Sequence, residues 1–307
     1  MDASPAPPHH RLTLREWLRL TRLFSLTAAA VPVLLGTALA AGRFRFLPLP
    51  FLAMLLASLL IQAATNMFNE YYDAVRGLDA SDSVGISGSI VSGRLEARAV
   101  LRSALWTYAA AALLSLYLVF EGGALVLGLG LLAALAGYLY SGGPRPIAYT
   151  PFGELTVFLS MGPLIVTLSY AVQTHQLSAL PLLASLPIGF LVAAILLANS
   201  IRDLEGDALG GRRTLAILVG RRRAIRLYRS LLWASYAVVA ALVLARQISP
   251  WALLSLASAA LALRLYREVA GSSGRIALNR VVRGTSGLHL ALGLLLTLGV
   301  LLGQLRL

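Results

Sequence analysis

The sequence contains no cysteine and no lysine, and only 13% of its 307 residues are charged. The absence of cysteine excludes disulfides and thiolate chemistry. About a quarter of the residues in a soluble domain are charged, so the scarcity of charge argues against a soluble domain. Hydrophobic residues make up 58% of the chain, and the mean hydropathy is +0.78. This composition indicates a protein whose solvent is mostly lipid.

Acidic residues are also scarce: there are 13, against 26 arginines, which leaves a net charge of +13. The arginines lie in short gaps between apolar runs, as in a multi-pass membrane protein, so we expect membrane lipid and no nucleic acid as partner. No protein partner follows from the sequence. A membrane span needs about 20 apolar residues. The predicted spans are residues 21–41, 48–68, 99–119, 123–140, 153–173, 179–200, 226–245, 250–267 and 285–304.

The arginines also predict an orientation. If the polar tail 1–19 is inside, 22 of the 26 arginines fall on the inner side and four on the outer side. This bias follows the positive-inside rule and predicts a plasma-membrane (cell inner membrane) protein with a cytoplasmic N-terminus and an external C-terminus. We interpret the run Arg221–Arg223 and the basic loop 275–283 as contacts with anionic lipid.

Seven of the 13 acidic residues lie in two short stretches, one after the second predicted span and one after the sixth. Acids are costly at membrane depth and rarely lie there without a function. In the later stretch, Asn199, Asp203 and Asp207 are each four residues apart. On a helix they would form one stripe.

The earlier stretch repeats this spacing. Asn69 and Asp73 are four residues apart, and Asn66 lies one turn earlier. Gly77 is expected to end the helix, after which Asp79 returns from the loop. Two oxygen-rich stripes, each led by a carboxamide, are therefore predicted to face each other across a cavity.

Carboxylate and amide oxygens without His or Cys suit Mg²⁺ rather than zinc. Mg²⁺ typically takes one or two carboxylates together with substrate phosphates, and guanidinium groups bind phosphate in bidentate fashion. The pattern favours a metal-bridged diphosphate on a lipid tail. The alternatives are a solvated, salt-bridged surface loop and an ion-transport pathway, although transport acids usually lie nearer the bilayer midplane. The arginines among the acids are Arg76, Arg202, Arg212 and Arg213.

At these residues the sequence resembles the UbiA superfamily of intramembrane aromatic prenyltransferases, and most closely its 1,4-dihydroxy-2-naphthoate branch, which serves menaquinone synthesis. The paired motifs are specific to the superfamily. The six-residue step from Asp73 to Asp79 favours the naphthoate branch. The sequence departs from the family pattern at Arg22-Leu23, where many relatives have Arg-Pro. The segments that carry the resemblance are Val31–Thr37, Asn66–Asp79, Ser83–Val91, Tyr140–Glu154, Asn199–Asp207 and Gly211–Leu215.

The resemblance implies an all-α bundle of nine transmembrane spans around a central cavity that opens laterally to lipid. It implies a single domain, 1–307, with cytoplasmic cap loops at 73–98 and 202–225. It also implies Mg²⁺ as cofactor, with Asp73 and Asp203 catalytic. The implied metal ligands are Asn69, Asp73, Asp79, Asn199, Asp203 and Asp207. The implied diphosphate and substrate contacts are Asn66, Asn69, Arg76, Arg202 and Arg212.

The implied reaction transfers a polyprenyl group from an allylic polyprenyl diphosphate to 1,4-dihydroxy-2-naphthoate. Diphosphate and CO₂ are released, and demethylmenaquinone is formed. One alternative is a family member with another acceptor, such as 4-hydroxybenzoate. The other is a transporter or lipid-binding protein, which would not require a metal.

The acceptor needs a partner for its carboxylate and contacts for its ring. Arg145 and Arg22 are the inner-side cations outside the acidic stretches, and we predict that they serve the carboxylate, with Arg145 catalytic. Tyr140, also predicted as catalytic, and Tyr72 and Tyr149 are expected to orient the ring or to stabilise a cation through their π faces. The alternatives are a membrane-interface belt for the tyrosines and positive-inside topology for Arg145.

Overall fold

The computed structural model of the chain describes residues 13–42, 44–78 and 88–304. Within those ranges all regular structure is helical, which confirms the predicted all-α class. The α-helices are α1 (Leu14–Leu20), α2 (Thr27–Ala41), α3 (Pro48–Val75), α4 (Ala97–Ser141), α5 (Gly153–Leu159), α6 (Ile165–Thr174), α7 (Ala179–Ala184), α8 (Leu186–Arg202), α9 (Leu204–Leu209), α10 (Leu215–Val219), α11 (Arg221–Leu244), α12 (Ala259–Gly271) and α13 (Arg275–Gln304).

Seven helical segments in the described part of the chain are long and apolar enough to cross a membrane. The chain is therefore a multi-pass membrane protein, as its composition predicted. The segments are Leu23–Ala41, Pro48–Val75, Ala97–Ser141, Gly153–Thr174, Ala179–Arg202, Arg221–Leu244 and Arg275–Gln304.

The 45-residue α4 contains two of the predicted spans, 99–119 and 123–140. Gly123 adopts φ +67° and ψ −156° inside it, a conformation that glycine tolerates without strain. The Tyr108 hydroxyl donates to the Ala134 carbonyl oxygen, 26 residues further on. A straight helix would separate these residues by about 39 Å. Hence α4 folds back at Gly123 into a first limb (97–122) and a second limb (124–141).

The predicted span 250–267 has a different form. A 3₁₀ helix occupies Pro250–Ser258, and α12 follows it. Neither is among the seven segments that satisfy the length and hydropathy of a membrane span in the described ranges. The count of nine spans therefore stays a prediction.

The length of α3 explains how its acids reach the membrane surface. The helix has 28 residues, so it is about 42 Å long, which exceeds the ~30 Å hydrocarbon core of a bilayer. Its last turns therefore extend to the interface. These turns carry Asn69 and Asp73, and α3 ends at Val75 with Gly77 at φ +68° just beyond. The expected helix break at Gly77 is confirmed.

The helices pack closely where α2 crosses α6. A Cβ on Gly36 would lie 2.4 Å from the Val166 carbonyl oxygen, so only glycine allows this approach. The Ser169 hydroxyl donates to the Val33 carbonyl oxygen at 2.9 Å and lies 3.1 Å from the Thr37 hydroxyl. Interhelical hydrogen bonds of this kind support association in lipid.

The protein has a densely packed half and a hollow half. The largest buried cluster lies among α2, α8, α11 and α13 and includes Leu35, Leu191, Leu232 and Leu292. In the other half, α3, both limbs of α4, α5, α6 and α8 surround a cavity of about 530 Å³. This volume is within the usual range for small-molecule sites.

Candidate active site

The cavity has a polar mouth and an apolar interior. On α3, the residues that face it recur every three or four positions from Met54 to Asp73, which is the pattern of one helix face. The mouth lies where α3 and α8 end. The charged and carboxamide side chains that line the cavity are Arg22, Gln62, Asn66, Asn69, Asp73, Asn199, Arg202, Asp203, Asp207, Arg212 and Arg275.

The first acidic stripe stands on the last turns of α3. The Asn69 carboxamide donates to Oδ2 of Asp73 at 3.1 Å, so the two side chains share one helix face, as the four-residue spacing predicted. Asp73 is only 5% exposed, although its carboxylate faces the cavity. Asp79, a predicted metal ligand, lies outside the described residues, as do residues 80–87 of the predicted cap loop 73–98.

The second stripe is divided between two helices. α8 ends at Arg202, Asp203 has non-helical φ and ψ of −98° and 7°, and α9 begins at Leu204. The stripe therefore does not lie on one uninterrupted helix. The spacing survives, because the Asp203 N–H donates to the Asn199 carbonyl oxygen and the Asp207 N–H to that of Asp203. All three side chains of the stripe line the cavity.

Arg212 joins the two stripes. Its guanidinium lies 3.0 Å from Oδ2 of Asp73 and 3.0 Å from Oδ1 of Asp207. Gly211, at φ +75°, turns the chain so that the Arg212 N–H donates to the Asp207 carbonyl oxygen. One side chain spans both carboxylates, so the stripes face each other across the mouth as the sequence predicted.

Burial and charge oppose each other at this bridge. Burial raises the pKa of Asp207 to about 6, although the Arg212 guanidinium acts against the shift. Burial by itself lowers the pKa of Arg212, but Asp73 and Asp207 outweigh it and raise the value overall. The Arg212 guanidinium therefore favours the ionised form of Asp207, against the effect of burial.

A metal ion at the oxygen-rich mouth would need oxygen ligands besides the acidic side chains. Within the described ranges, no three acidic, His or Cys side chains lie close enough to hold a metal ion by themselves. Mg²⁺ requires only one or two carboxylates when phosphate oxygens complete its shell. Asp73 and Asp207 supply two carboxylates from opposite walls, and Asn199 adds a cavity-facing carboxamide. The donor set therefore fits Mg²⁺ bound together with a diphosphate.

Arg202 is held beside Asp203. Its Nε donates to Oδ1 of Asp203 at 2.9 Å, and its Nη2 pairs with Oδ2 of the same carboxylate. Its Nη1 donates to Oδ1 of Asn279 at 2.7 Å. The guanidinium is buried and its orientation is set from both sides. Arg202 therefore supports Asp203 at the mouth, where it also lines the cavity.

Arg76 lies behind the site rather than in it, because it is not part of the cavity lining. Its guanidinium donates to the carbonyl oxygens of Ser141 and Gly143 at 3.2 and 2.8 Å and to the Tyr149 hydroxyl at 3.0 Å. Tyr149 in turn donates to Oδ1 of Asp73. This geometry does not support a direct diphosphate contact for Arg76, because its donors hold the loop after α4 and the tyrosine that buttresses Asp73.

Two of the three predicted tyrosines serve this support and do not line the cavity. The Arg212 guanidinium lies 4.6 Å from the ring centroid of Tyr149. Burial, and the nearby Asp73 carboxylate, raise the pKa of Tyr149 to about 12, so it remains a hydrogen-bond donor at neutral pH. Tyr72 stacks on Phe68 and lies under Arg76. Tyr140 alone of the three faces the cavity.

The two arginines predicted to bind the acceptor carboxylate differ in position: Arg22 lines the cavity and Arg145 does not. Arg145 is exposed, is not part of the cavity lining, and makes no ion pair or hydrogen bond within the described residues, so this geometry does not support its predicted catalytic role.

Arg22 lines the cavity, in a left-handed turn at φ 50°, and pairs with Glu70 at 3.4 Å. Asn66 lines the cavity too, but its Nδ2 donates to the Thr21 carbonyl oxygen and the Ser25 hydroxyl at 2.7 and 2.8 Å. It therefore anchors the segment that carries Arg22.

One charged cavity residue, Arg275, was not among the residues predicted from the sequence. Arg275 begins α13 and lines the cavity, and its Nη2 lies 2.9 Å from the position that a Cβ on Gly206 would occupy. Its place in the basic loop 275–283 predicts a contact with anionic lipid instead. No local spacing signals its position, because the packing of α13 against α8 brings it to α9.

Comparison with known proteins agrees with this geometry. The UbiA prenyltransferase family matches residues 29–280. The 1,4-dihydroxy-2-naphthoate octaprenyltransferase of Bacillus subtilis is 41% identical over 305 residues, which cover 99% of this chain and 98% of that protein. The enzyme with the same name from Mycobacterium tuberculosis is 32% identical over 94% of this chain and 98% of its own length.

A solved structure shares the fold. A UbiA homologue from Archaeoglobus fulgidus, bound to GPP and Mg²⁺, superposes with a TM-score of 0.66 at 20% identity, covering 92% of this chain and 99% of that one.

Proposed function

This chain belongs to the UbiA prenyltransferase family, and we propose that it transfers a polyprenyl group from an allylic polyprenyl diphosphate to 1,4-dihydroxy-2-naphthoate. Diphosphate and CO₂ leave, and demethylmenaquinone forms at the quinol level. The observation that carries the proposal is the Arg212 bridge, which places acids from α3 and α9 at the polar mouth of an apolar cavity. The naphthoate enzymes among its relatives match nearly its whole length.

The donor diphosphate binds at the mouth. Asp73, Asp203 and Asp207, with the Asn69 and Asn199 carboxamides, hold Mg²⁺ and the diphosphate there, with Asp79 as a further ligand. When bound, Mg²⁺ acts as a Lewis acid and stabilises the leaving diphosphate. The arginines neutralise charge that develops on the phosphate oxygens. The arginines in this role are Arg202, Arg212 and Arg275.

The reaction breaks the allylic C–O bond and forms a C–C bond. The diphosphate departs with the electron pair, and the electron-rich ring attacks the allylic carbon. The ring then loses its carboxylate as CO₂, whose bonding electrons restore aromaticity. Apolar walls hold the prenyl chain and keep water from the cation. Tyr140 lines the same space, and a tyrosine ring there stabilises an allylic cation through its π face.

The acceptor carboxylate pairs with Arg22. Arg22 lines the cavity, whereas Arg145 does not. The Nε of Arg22 is buried and has no hydrogen-bond partner within the described residues. A carboxylate would therefore satisfy a donor that is otherwise unpaired.

The orientation follows from the arginine bias. We propose that the N-terminus, the mouth and the cap loops 73–98 and 202–225 are cytoplasmic and that the C-terminus is external, in the plasma membrane. This orientation gives the mouth access to a water-soluble acceptor, while the donor tail enters from lipid. The chain then acts as one catalytic domain.

An acceptor screen tests the proposal. Purified protein is incubated with radiolabelled prenyl diphosphate, Mg²⁺ and either 1,4-dihydroxy-2-naphthoate or 4-hydroxybenzoate, and the products are separated by chromatography. Prenylated naphthoquinol is expected, and it should disappear when the metal is chelated. Product from 4-hydroxybenzoate alone would overturn the acceptor assignment, and turnover without metal would overturn the Mg²⁺ site.

The acids at the mouth provide a second test. Asp73→Asn and Asp203→Asn keep the side-chain shape but remove the charge, and each is expected to lower kcat/KM by about 100-fold or more, because metal stabilisation of a leaving group is worth several kcal/mol. Glu96→Gln is the control, because Glu96 is exposed and precedes α4 outside the cavity. Near-normal turnover in either Asp variant would contradict the site.

A further inference from the structure

Beneath the polar mouth, the cavity continues as an apolar channel that is closed at its outer end. Four of the residues that line it also belong to one buried hydrophobic cluster between α3, the turn of α4 and α6. Each is at most 6% exposed. Packed side chains therefore form a floor to the channel. We call this the channel floor: Met54, Leu118, Val126 and Leu168.

The floor lies deep in the membrane. Met54 and Asp73 are both on the cavity face of α3 and are 19 residues apart, which corresponds to about 28 Å of helix. The hydrocarbon core of a bilayer is about 30 Å thick. The channel therefore extends across most of the membrane before it meets the floor.

Small residues keep the channel open between mouth and floor. The first limb of α4 presents Ala111, Ala112 and Ser115 to it. The second limb presents Gly130, Ala133, Ala134 and Gly137. The hydrogen bond between Tyr108 and Ala134 joins the limbs beside these residues, so the spacing of the walls is set by a contact as well as by packing.

Gly130 marks a defined depth in this wall. A Cβ on Gly137 would lie 3.2 Å from the Thr65 hydroxyl, which places Gly137 level with Thr65 on α3. Thr65 is eight residues from Asp73, and Gly130 is seven residues below Gly137, so Gly130 lies about 22 Å below Asp73. No atom lies within 4 Å of a Cβ placed on Gly130. The volume beside it is open channel.

We propose that the channel floor and the side-chain-free wall at Gly130 determine which prenyl chain lengths the enzyme accepts. This inference rests on the proposed prenyl transfer and adds a length-specificity element to it. A short prenyl chain ends above Gly130 and makes no contact with the wall there. A long chain must pass Gly130 and fill the space above the floor, so its burial depends on volume at both places.

A matched pair of glycines tests the wall. Gly128 and Gly130 both lie on the second limb, and a Cβ on either meets no atom within 4 Å. Two residues of helix place them on nearly opposite faces, and only Gly130 lines the channel. Gly130→Leu therefore narrows the channel, whereas Gly128→Leu adds the same side chain on the outer face.

Purified wild type and both variants are assayed with geranyl diphosphate and octaprenyl diphosphate, each with 1,4-dihydroxy-2-naphthoate. For Gly130→Leu, the ratio of octaprenyl to geranyl kcat/KM is expected to fall about ten-fold, the factor that about 1.4 kcal/mol of overpacking produces. Gly128→Leu should keep the wild-type ratio. An unchanged ratio in Gly130→Leu, or an equal fall in both variants, would overturn the inference.

A floor variant tests the same idea in the opposite direction and does not depend on Gly130→Leu folding. Leu118→Ala removes side-chain volume at the floor, so the ratio of octaprenyl to geranyl kcat/KM should rise above that of the wild type. A ratio that stays the same or falls would count against the floor as a limit. Wild-type protein that transfers neither chain would instead overturn the proposed function itself. Activity with an unshifted ratio would affect only this inference.

Discussion

The arginines at the cavity mouth differ in how firmly they are held. Arg212 lies 3.0 Å from each of two carboxylates, and Arg202 is fixed between Asp203 and Asn279. Arg22 has one ion pair within the described residues, at 3.4 Å with Glu70. The Nε atoms of Arg22 and Arg212 are both buried and have no hydrogen-bond partner within the described residues. An unsatisfied buried donor costs about 1–3 kcal/mol. Arg22 has the longest ion pair of the three arginines, so it is the least firmly held and the most available to a carboxylate ligand.

This difference predicts separate effects for the two proposed acceptor cations. Arg22→Gln should raise the KM for 1,4-dihydroxy-2-naphthoate about ten-fold or more, because a charged hydrogen bond of about 1.5–3 kcal/mol is lost, and should change the KM for the donor much less. Arg145→Gln should have the smaller effect, because Arg145 is exposed and does not line the cavity. Steady-state kinetics with each substrate varied in turn measures both. A larger acceptor effect at Arg145 would restore the original assignment.

At the scale of elements, Glu70 joins three parts of the chain. Its Oε1 accepts the Ser89 N–H at 2.8 Å, and its Oε2 pairs with Arg22, which follows α1. The Ser89 hydroxyl also donates to Glu16 of α1 at 3.1 Å. Glu70 is 1% exposed. The segment that leads into α4 is therefore held to α3 by a buried carboxylate.

Glu70→Ala should release this segment. Removal of one partner of a buried ion pair costs about 3–5 kcal/mol, so the melting temperature in detergent should fall, and amide hydrogen exchange should accelerate at residues 88–96. Glu96→Gln, at an exposed acid in the same segment, is the control. Unchanged exchange at 88–96 in Glu70→Ala would show that this carboxylate does not hold the segment.

The approach of α2 to α6 gives a second prediction at this scale. Gly36→Ala would place a Cβ 2.4 Å from the Val166 carbonyl oxygen and 2.8 Å from the Ser169 Cβ. The helices must separate, at a cost of about 1–3 kcal/mol, and the melting temperature should fall. Gly287→Ala on α13 has no atom within 4 Å of the new Cβ and is the matched control. Equal stability of the two variants would contradict this packing.

At the scale of the whole molecule, the arginine bias predicts which end of the bundle faces the cytoplasm. The chain has no cysteine, so single cysteines can be introduced without further changes. With a membrane-impermeant maleimide on intact cells, Gln176→Cys should be labelled from outside, whereas Ser273→Cys should react only after permeabilisation. Both positions are exposed. The reverse labelling pattern would overturn the orientation and place the mouth outside.

Much of the site was predictable because its information is local. A four-residue step places side chains on one helix face whatever the helix packs against. This step predicted that Asn69 and Asp73 share a face, and in the structure they form a hydrogen bond there. It did not predict that Asp203 would leave the helix between α8 and α9, because that break depends on the local turn geometry. The two limbs of α4 were predictable as two apolar runs, and Gly123 supplies the turn between them.

By itself, the sequence determined the solvent of this protein, its helical class, the pairing of two acidic stripes and the family that it resembles, because composition and periodicity carry that information. Only the tertiary structure decided which side chains reach the cavity. It admits Arg22 and Arg275 and leaves Arg76 and Arg145 outside. It also closes the channel with residues from α3, α4 and α6. The physical reason is that a position within a cavity depends on the packing of helices that are distant in the chain, and no local spacing encodes it.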